Sequence, residues 1–381
     1  MVVNTGFQMF LCDTIDGSHV KFIPAADATW GMKLNESGPV TGSVPVAARE
    51  TARLDLRTAT ASVRQSLGIS YNGNILECGP IWGRKYDPEK EQLQLTAQGL
   101  WSIFEHRKAV PGSWLANGQT PARAVWTITR GNLQSIAREL VRNSITDNPW
   151  NGGTAGNLNI ILPASVSGST HSRTYNGWDM AWIGRRLKEL TEVTNGPDIR
   201  FRPRFKPGDP TTVEWVMEMG APLLQAGKDL QWDVSLRKTG PVHLSWDEDA
   251  TELAARAWML GPGQEKAKKI KYATDTELLA NGWPWTETED SKDVTDDKLL
   301  QSYANQLLKE NKRPWLTWDL TVRADVPPLV GTYQPGDWAA LTIPAGHPQI
   351  QQGTVRVRIM TISGGADQKV KLTVAPIQGT Y

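Results

Sequence analysis

A chain of 381 residues exceeds what one hydrophobic core usually fills, so the sequence is expected to divide into two or three domains. Lys and Arg number 41 against 40 Asp and Glu, a formal charge of +1, which excludes a global field for nucleic acid or anionic membrane and leaves charged surfaces to local patterns. No stretch approaches the roughly 20 consecutive apolar residues of a membrane span. The start, MVVNTGFQMFLCDTIDG, lacks a basic region followed by a long apolar core, so a soluble chain without an export signal is expected.

In chain order, FQMFLCD, the turn signal Asp16-Gly17, HVKFI and, after Pro24, ATWGMKLN read as paired strands. VRQSLGISY then meets ILECGPIWGRKY across Asn72-Gly73, a pair that tolerates the positive φ angles of a type I′ turn. A corner at Asp87-Pro88-Glu89-Lys90 returns the chain into QLQLTA. GLWSIFEHR places Leu100, Ile103 and Phe104 at helical spacing, so a short helix closes a first domain, 1–110.

The middle, 111–224, changes character. NLQSIARELVRNSI, opened by Asn132, carries apolar residues at 133, 136, 137, 140, 141 and 145, one face of a helix. WDMAWIGRRLKELTEV predicts a second helix with Trp182, Ile183, Leu187 and Leu190 as its buried stripe. The loop between, NPWNGGTAGNLN, is rich in glycine but lacks the GK[ST] ending of a phosphate cradle. DIRFRPRFK and TTVEWVMEMG read as two strands joined at 207–210. From 225 to 381 strands return: LQWDVSLRK, VHLSW, ELAARAWML and KKIKYAT, then the acidic run Glu287 to Asp297 as a solvated loop and helix start, and the helix DDKLLQSYANQLLKEN. WLTWDLTVR, DWAALTI, TVRVRIMTI and KVKLTVA finish the chain. The fold class is therefore α+β and β-dominated.

No residue pattern announces chemistry. The histidines at 19, 106, 171, 243 and 347 are dispersed, and neither HExxH nor GxSxG occurs, so no catalytic residue, metal site or cofactor is expected. Cys12 and Cys78 match no zinc or CxxC spacing and read as buried free thiols in preference to a disulfide. In Pro335-Gly336-Asp337, proline and glycine suit the second and third positions of a type II turn, and Asp337 at its exit is read as a turn residue accepting backbone N–H bonds. A catalytic acid at that position would need burial or a second carboxylate. Arg200, Arg202, Arg204 and Lys206 alternate with apolar residues, either a solvated sheet face or a contact surface for an acidic neighbour or passing nucleic acid. Of the 17 tryptophans, Trp182, Trp215 and Trp258 fall in core patterns, whereas Trp283 and Trp285 in NGWPW read as exposed interface anchors.

One pattern recurs: GPIWGRKYDPEKEQLQLTA from 79 and VRIMTISGGADQKVKLTVA from 357 both run strand, turn with aspartate, strand. Together with GLWSIFEHR after the first copy, PGDWAALTI before the second, LKELTEVTNGPDIRF in the middle and the helix DDKLLQSYANQLL, this order resembles the tail-hub proteins of long-tailed bacteriophages, also called baseplate hub, tail-associated or minor tail proteins. The resemblance implies two tube-type β-barrel domains, 1–110 and 225–381, around a peripheral α+β domain, with a helical insertion in the second barrel. It also implies a homotrimer at the tail tip of the virion, assembled in the host cytoplasm. That trimer adapts a sixfold tube to a threefold tip, touches tail-tube, distal-ring and tip proteins, and lets genomic DNA pass through its channel. The chain ends at IQGTY just after the hub pattern, so no activity of the C-terminal extensions of some relatives is carried over. Two other readings stay open: a tryptophan-rich carbohydrate-binding protein or glycoside hydrolase, and another structural phage protein such as a distal tail ring or adaptor.

Overall fold

A computed structural model describes residues 6–110, 120–146, 157–221, 223–224, 230–235, 242–347 and 350–376, apart from the side chains of Pro121, Trp315 and Leu316. The glycine-rich loop after residue 146 lies outside the described residues up to 156. The N-terminal strands are β1 (Phe7–Asp13), β2 (Lys21–Ile23), β3 (Asp27–Lys33), β4 (Pro39–Pro45), β5 (Gln65–Tyr71), β6 (Asn74–Asp87) and β7 (Gln92–Gln98). As the turn chemistry requires, β5 and β6 join through Asn72 at φ 47° and Gly73 at φ 81°. After β7 the helical spacing is used for a single turn, Trp101–Phe104, all four residues of which are buried.

The middle contributes β8 (Val125–Arg130), β9 (Ile160–Ile161), β10 (His171–Asn176), β11 (Ile199–Lys206) and β12 (Asp209–Met219). It also holds two helices, α1 (Leu133–Thr146) and α2 (Ile183–Thr191). All six apolar positions named for α1 are buried, and the Asn132 side chain accepts from the Ser135 N–H at 2.9 Å to satisfy a free donor at its start. Ile183, Leu187 and Leu190 of α2 are buried as expected, but Trp182 precedes the helix and is 41% exposed. The reason is positional: Trp182 occupies the N-cap, where the chain is still extended and its side chain leaves the helical stripe.

The remaining strands are β13 (Leu230–Asp233), β14 (His243–Asp249), β15 (Arg256–Leu260), β16 (Ile270–Thr274), β17 (Glu287–Ser291), β18 (Trp315–Arg323), β19 (Trp338–Ile343), β20 (Gly353–Gly365) and β21 (Lys369–Pro376). Helix α3 (Asp297–Asn311) precedes β18, with Asp296 accepting from the Leu299 N–H at 2.7 Å. The acidic run was expected to be loop. Its first part is instead β17, paired parallel to β15, because Thr288 points inward while Glu287 and Glu289 reach solvent.

Thirteen strands form one sheet in the order β14-β18-β21-β20-β3-β4-β7-β6-β5-β1-β2, with β19 attached to β20 and β13 to β19. The sheet contains the same path twice. In β3-β4-β7-β6-β5-β1 and in β14-β18-β21-β20-β19-β13, the six strands occupy the same places in the same chain order. The sixth strand differs in direction: β1 runs antiparallel to β5, whereas β13 runs parallel to β19. Two six-stranded units are thus present, but no sheet closes into a barrel among the described residues. The units are joined where Thr361–Gly365 of β20 pairs with β3, making the sheet continuous across the expected domain boundaries.

The repeated hairpin occupies corresponding strands. The β6–β7 register shifts between Ile81 and Gly83, and the β20–β21 register shifts between Ile359 and Thr361, the positions that the two sequence copies align. Such an extra residue bends a strand and raises its twist. In the returning strand the alignment is corrected by one residue: Thr96 faces Gly83 and Thr373 faces Thr361. The second turn, between Gly365 and Lys369, is one residue shorter than the first, between Asp87 and Gln92.

Two cores lie on this framework. One joins both units, with Trp30, Leu67, Ile81 and Leu95 packed in the same cluster as Trp318, Leu341, Val357 and Leu372. The other packs Phe10, Cys12, Cys78 and Phe104 against α1, α2 and Trp215 of the middle region and against Leu300 and Tyr303 of α3. Each fully buried large side chain contributes about 1.5–3 kcal/mol, so these shared clusters hold the parts of the chain together. The Cys12 and Cys78 thiols are free, buried and 3.9 Å apart, and burial pushes Cys78 well above the ordinary thiol range.

Candidate functional site

The Gln334–Asp337 turn and strand β11 come together. Gly336 has φ 99°, the conformation a type II turn demands of its third residue. Asp337 is only 2% exposed, and its Oδ2 accepts from the Gln334 N–H at 2.9 Å. Its backbone is also fixed to β20, with the Ile359 N–H donating to Asp337 O at 2.9 Å. Trp338 has one ring face covered by the Arg356 guanidinium, 4.3 Å from the centroid, which leaves it unsuited as a sugar platform.

Arg200 links this turn to the middle region. Its Nη1 donates to Pro335 O at 2.6 Å and lies 3.8 Å from Asp337 Oδ1, while its Nε donates to Glu218 at 2.6 Å. Arg202 donates to the other Glu218 oxygen at 2.7 Å, and Arg204 reaches Glu214 at 2.6 Å. The cause is the β11–β12 register, which sets Arg200 opposite Glu218 and Arg204 opposite Glu214. Burial pushes the Glu218 carboxyl up, and the two guanidiniums more than offset this, holding it below its ordinary value. The basic face is therefore neutralised within the chain. Only Lys206, at the strand end, stands exposed.

The partner carboxylates were missed from the sequence, although the signal was present. Glu214 and Glu218 share one face of TTVEWVMEMG, and the tight turn at 207–210 sets which arginines they meet.

Trp283 and Trp285 are 40% and 43% exposed. They lie beside the three-stranded sheet β16-β15-β17, whose inner side carries Ala257 and Met259 and contacts α3. On its outer side the Arg256 guanidinium sits 4.8 Å from the Trp285 ring centroid, 5.4 Å from Trp258 and 5.6 Å from Tyr272. Trp258 is thus a half-buried partner of this cation, whereas Trp215 is a core residue donating to Cys78 O at 3.0 Å. The core expectation holds for Trp215 and is corrected for Trp182 and Trp258.

Among the described residues, no group of three or more His, Cys, Asp or Glu could hold a metal ion, and no helix is long and apolar enough to cross a membrane. Among the described residues Glu77 is the one carboxyl pushed far from its ordinary value, to about 8, because β6 buries it with a single backbone donor, the Cys78 N–H at 3.0 Å.

No family model matches the chain, and no curated protein matches it in sequence. Its fold is similar to that of a tail protein from Neisseria meningitidis MC58, with a TM-score of 0.56 and 12% identity over 98% of this chain and 97% of that one. It is also similar to the 43 kDa tail protein of prophage MuSo2 from Shewanella oneidensis, with a TM-score of 0.55 and 10% identity over 97% and 98% of the two chains. The Francisella PdpA-VgrG complex in its half-lidded form gives a TM-score of 0.52 and 8% identity, over 99% of this chain and 58% of that one. At these identities the likeness is one of fold, and the fold is that of phage tail proteins.

Proposed function

We propose that this protein is a structural subunit of a phage tail, the hub at the tip of the tail tube, acting as a homotrimer without chemistry of its own. The observation that carries this reading is the doubled strand path: one chain supplies two corresponding six-stranded units, so three chains supply six. Closed cyclic symmetry is the common solution for homo-oligomers, and a ring of three such chains meets a sixfold tube on one side and a threefold tip on the other. In this reading the two units act as tube-type elements that close into a barrel wall only between subunits. They alternate around one channel, with the middle region and the β15–β17 insertion toward the outside.

Two further features support the assembly. Strands β2 and β14 end the sheet path, with Lys21 exposed at one end and Asp247, Glu248 and Asp249 exposed at the other. A neighbour covering such edges removes their unpaired backbone groups. The formal charge of +1 suits a conduit through which DNA passes without being held by counterion release. Partners in this reading are the tail-tube, distal-ring and tip proteins, and Trp283 and Trp285 are the anchors offered to them.

Antibody raised against the purified chain should label one end of the tail on intact particles made by the host that encodes it. Label spread along the tube, or particles that carry none, would overturn the proposal.

A further inference from the structure

A cleft of about 860 Å³ opens between β10, the turn Gly177–Asp179, α2 and α3, and neither the ladder arginines nor the Arg256 aromatic cluster is among its lining residues. Its rim carries Trp178, which is 60% exposed, the most exposed of the large hydrophobic side chains described. Its floor includes Tyr175 and Arg186, both more than nine-tenths buried. The Tyr175 hydroxyl and the Arg186 Nε have no hydrogen-bond partner. Arg186 is otherwise held by Asp179 at 3.0 Å and Glu189 at 2.8 Å. Buried polar atoms without partners are uncommon, and both residues that carry them here line the cleft.

The cleft's chemistry narrows its occupant. Arg173, Arg186 and Lys298 face Asp179, Glu189, Asp293 and Asp296, so charges of both signs are interleaved and nearly balanced. That balance disfavours a polyphosphate or nucleic acid, which needs an excess of cations, and a polycation, which needs the reverse. Carboxylates and guanidinium forks accept and donate in pairs, as adjacent sugar hydroxyls do, and the side chains of Ser302 and Tyr303 add hydroxyls to the wall. An exposed indole beside such groups offers the flat apolar surface onto which one face of a pyranose ring stacks. The volume lies within the range of ligand pockets.

We propose that this cleft binds a short neutral oligosaccharide, with the ring of Trp178 as its platform and Arg173, Asp179 and Asp293 as its polar contacts. Asp179 is held in place from within the chain by Arg186, and Met180 just after it is left-handed at φ 42°, so the turn presents Trp178 in a fixed position. Glycan recognition would add adhesion to a structural role, yet it stands apart from that role, because binding is measured on the isolated chain whatever its oligomeric state.

The test is isothermal titration of the full chain with chitotetraose and maltotetraose at about 0.05 and 0.5 M salt, flanking the physiological range. The expected result is saturable binding of at least one of them, little changed by salt, weakened about tenfold or more by Trp178→Ala and by Asp293→Asn, and unchanged by Tyr86→Ala, an exposed aromatic outside the cleft. Trp178 is exposed, so its removal leaves the fold intact, and the thermal midpoint verifies this. Absence of saturable heat with both sugars overturns the proposal. So does equal loss in Tyr86→Ala, or a binding event that collapses with salt as a charged ligand would. Saturable uptake of an extended peptide along the outer edge of β10, with neither sugar bound, would assign the cleft to a protein partner and likewise overturn it.

Discussion

Converting Arg200, Arg202 and Arg204 together to glutamate is expected to unfold the chain or come close to it. The three guanidiniums are bonded to Glu214 and Glu218, and Arg200 also ties Pro335 O and stands beside the buried Asp337. Reversal would place six carboxylates on one strand pair and its adjoining turn. Breaking one buried pair by removing a partner costs about 3–5 kcal/mol, so the combined loss reaches the whole stability of an ordinary domain, about 5–15 kcal/mol. The arginines are partly exposed, which lowers the share of each pair but not the direction of the effect. Urea denaturation measures it. Adding Glu214→Arg and Glu218→Arg to the triple variant should recover much of the loss, since the ladder is rebuilt with its charges exchanged. Wild-type stability of the triple variant would contradict the intrachain ladder and return these residues to a free outer face.

The same ladder fixes a sign with pH. Glu218 is held below its ordinary value in the folded chain, so its contribution is present above the unfolded value of 4.5 and is lost as pH falls through the lower folded value.

Glu77→Gln is expected to stabilise the protein, and more so as pH rises. Burial raises the folded carboxyl from 4.5 to about 8. The unfolded chain therefore releases this proton first, and stability declines as pH climbs from about 4.5 to 8. A rise of that size corresponds to about 5 kcal/mol at pH above 8, an upper figure that any rearrangement around the ionised group reduces. The amide keeps an oxygen to accept from the Cys78 N–H and carries no charge to desolvate. Comparing thermal midpoints of the two proteins from pH 5 to 8.5 should show them diverge. Parallel curves would mean that Glu77 ionises without cost and that water reaches it.

These two sites show what could be read in advance and what could not. The Asn72-Gly73 and Pro335-Gly336 corners were legible because local φ requirements restrict the residues there. Helix α1 was legible because its apolar positions recur at the helical period, and all of them are buried. The paired hairpins were legible as strands, but their alignment slipped by one residue where the second turn is shorter, since letters alone do not count turn residues. The β3–β20 pairing carries no local signal: residues 29–33 and 361–365 are more than 300 positions apart, and each reads only as a strand. For that reason two separate units were expected, whereas among the described residues one continuous sheet joins them around a shared core. Glu77 was invisible for a related reason, because ILECG reads as an alternating strand and nothing local shows that Gly38 and Gly99 close over its carboxyl.

The central claim is that one chain supplies two equivalent positions in a ring. Electron cryomicroscopy of tail tips containing this protein, reconstructed without imposed symmetry and viewed along the axis, tests it most directly. The account predicts three copies around one open channel, with the unit built from β1 and β3–β7 alternating with that built from β13, β14 and β18–β21 in six similar positions. Six copies in the ring, or three copies in which only one of the two units borders the channel, would contradict it.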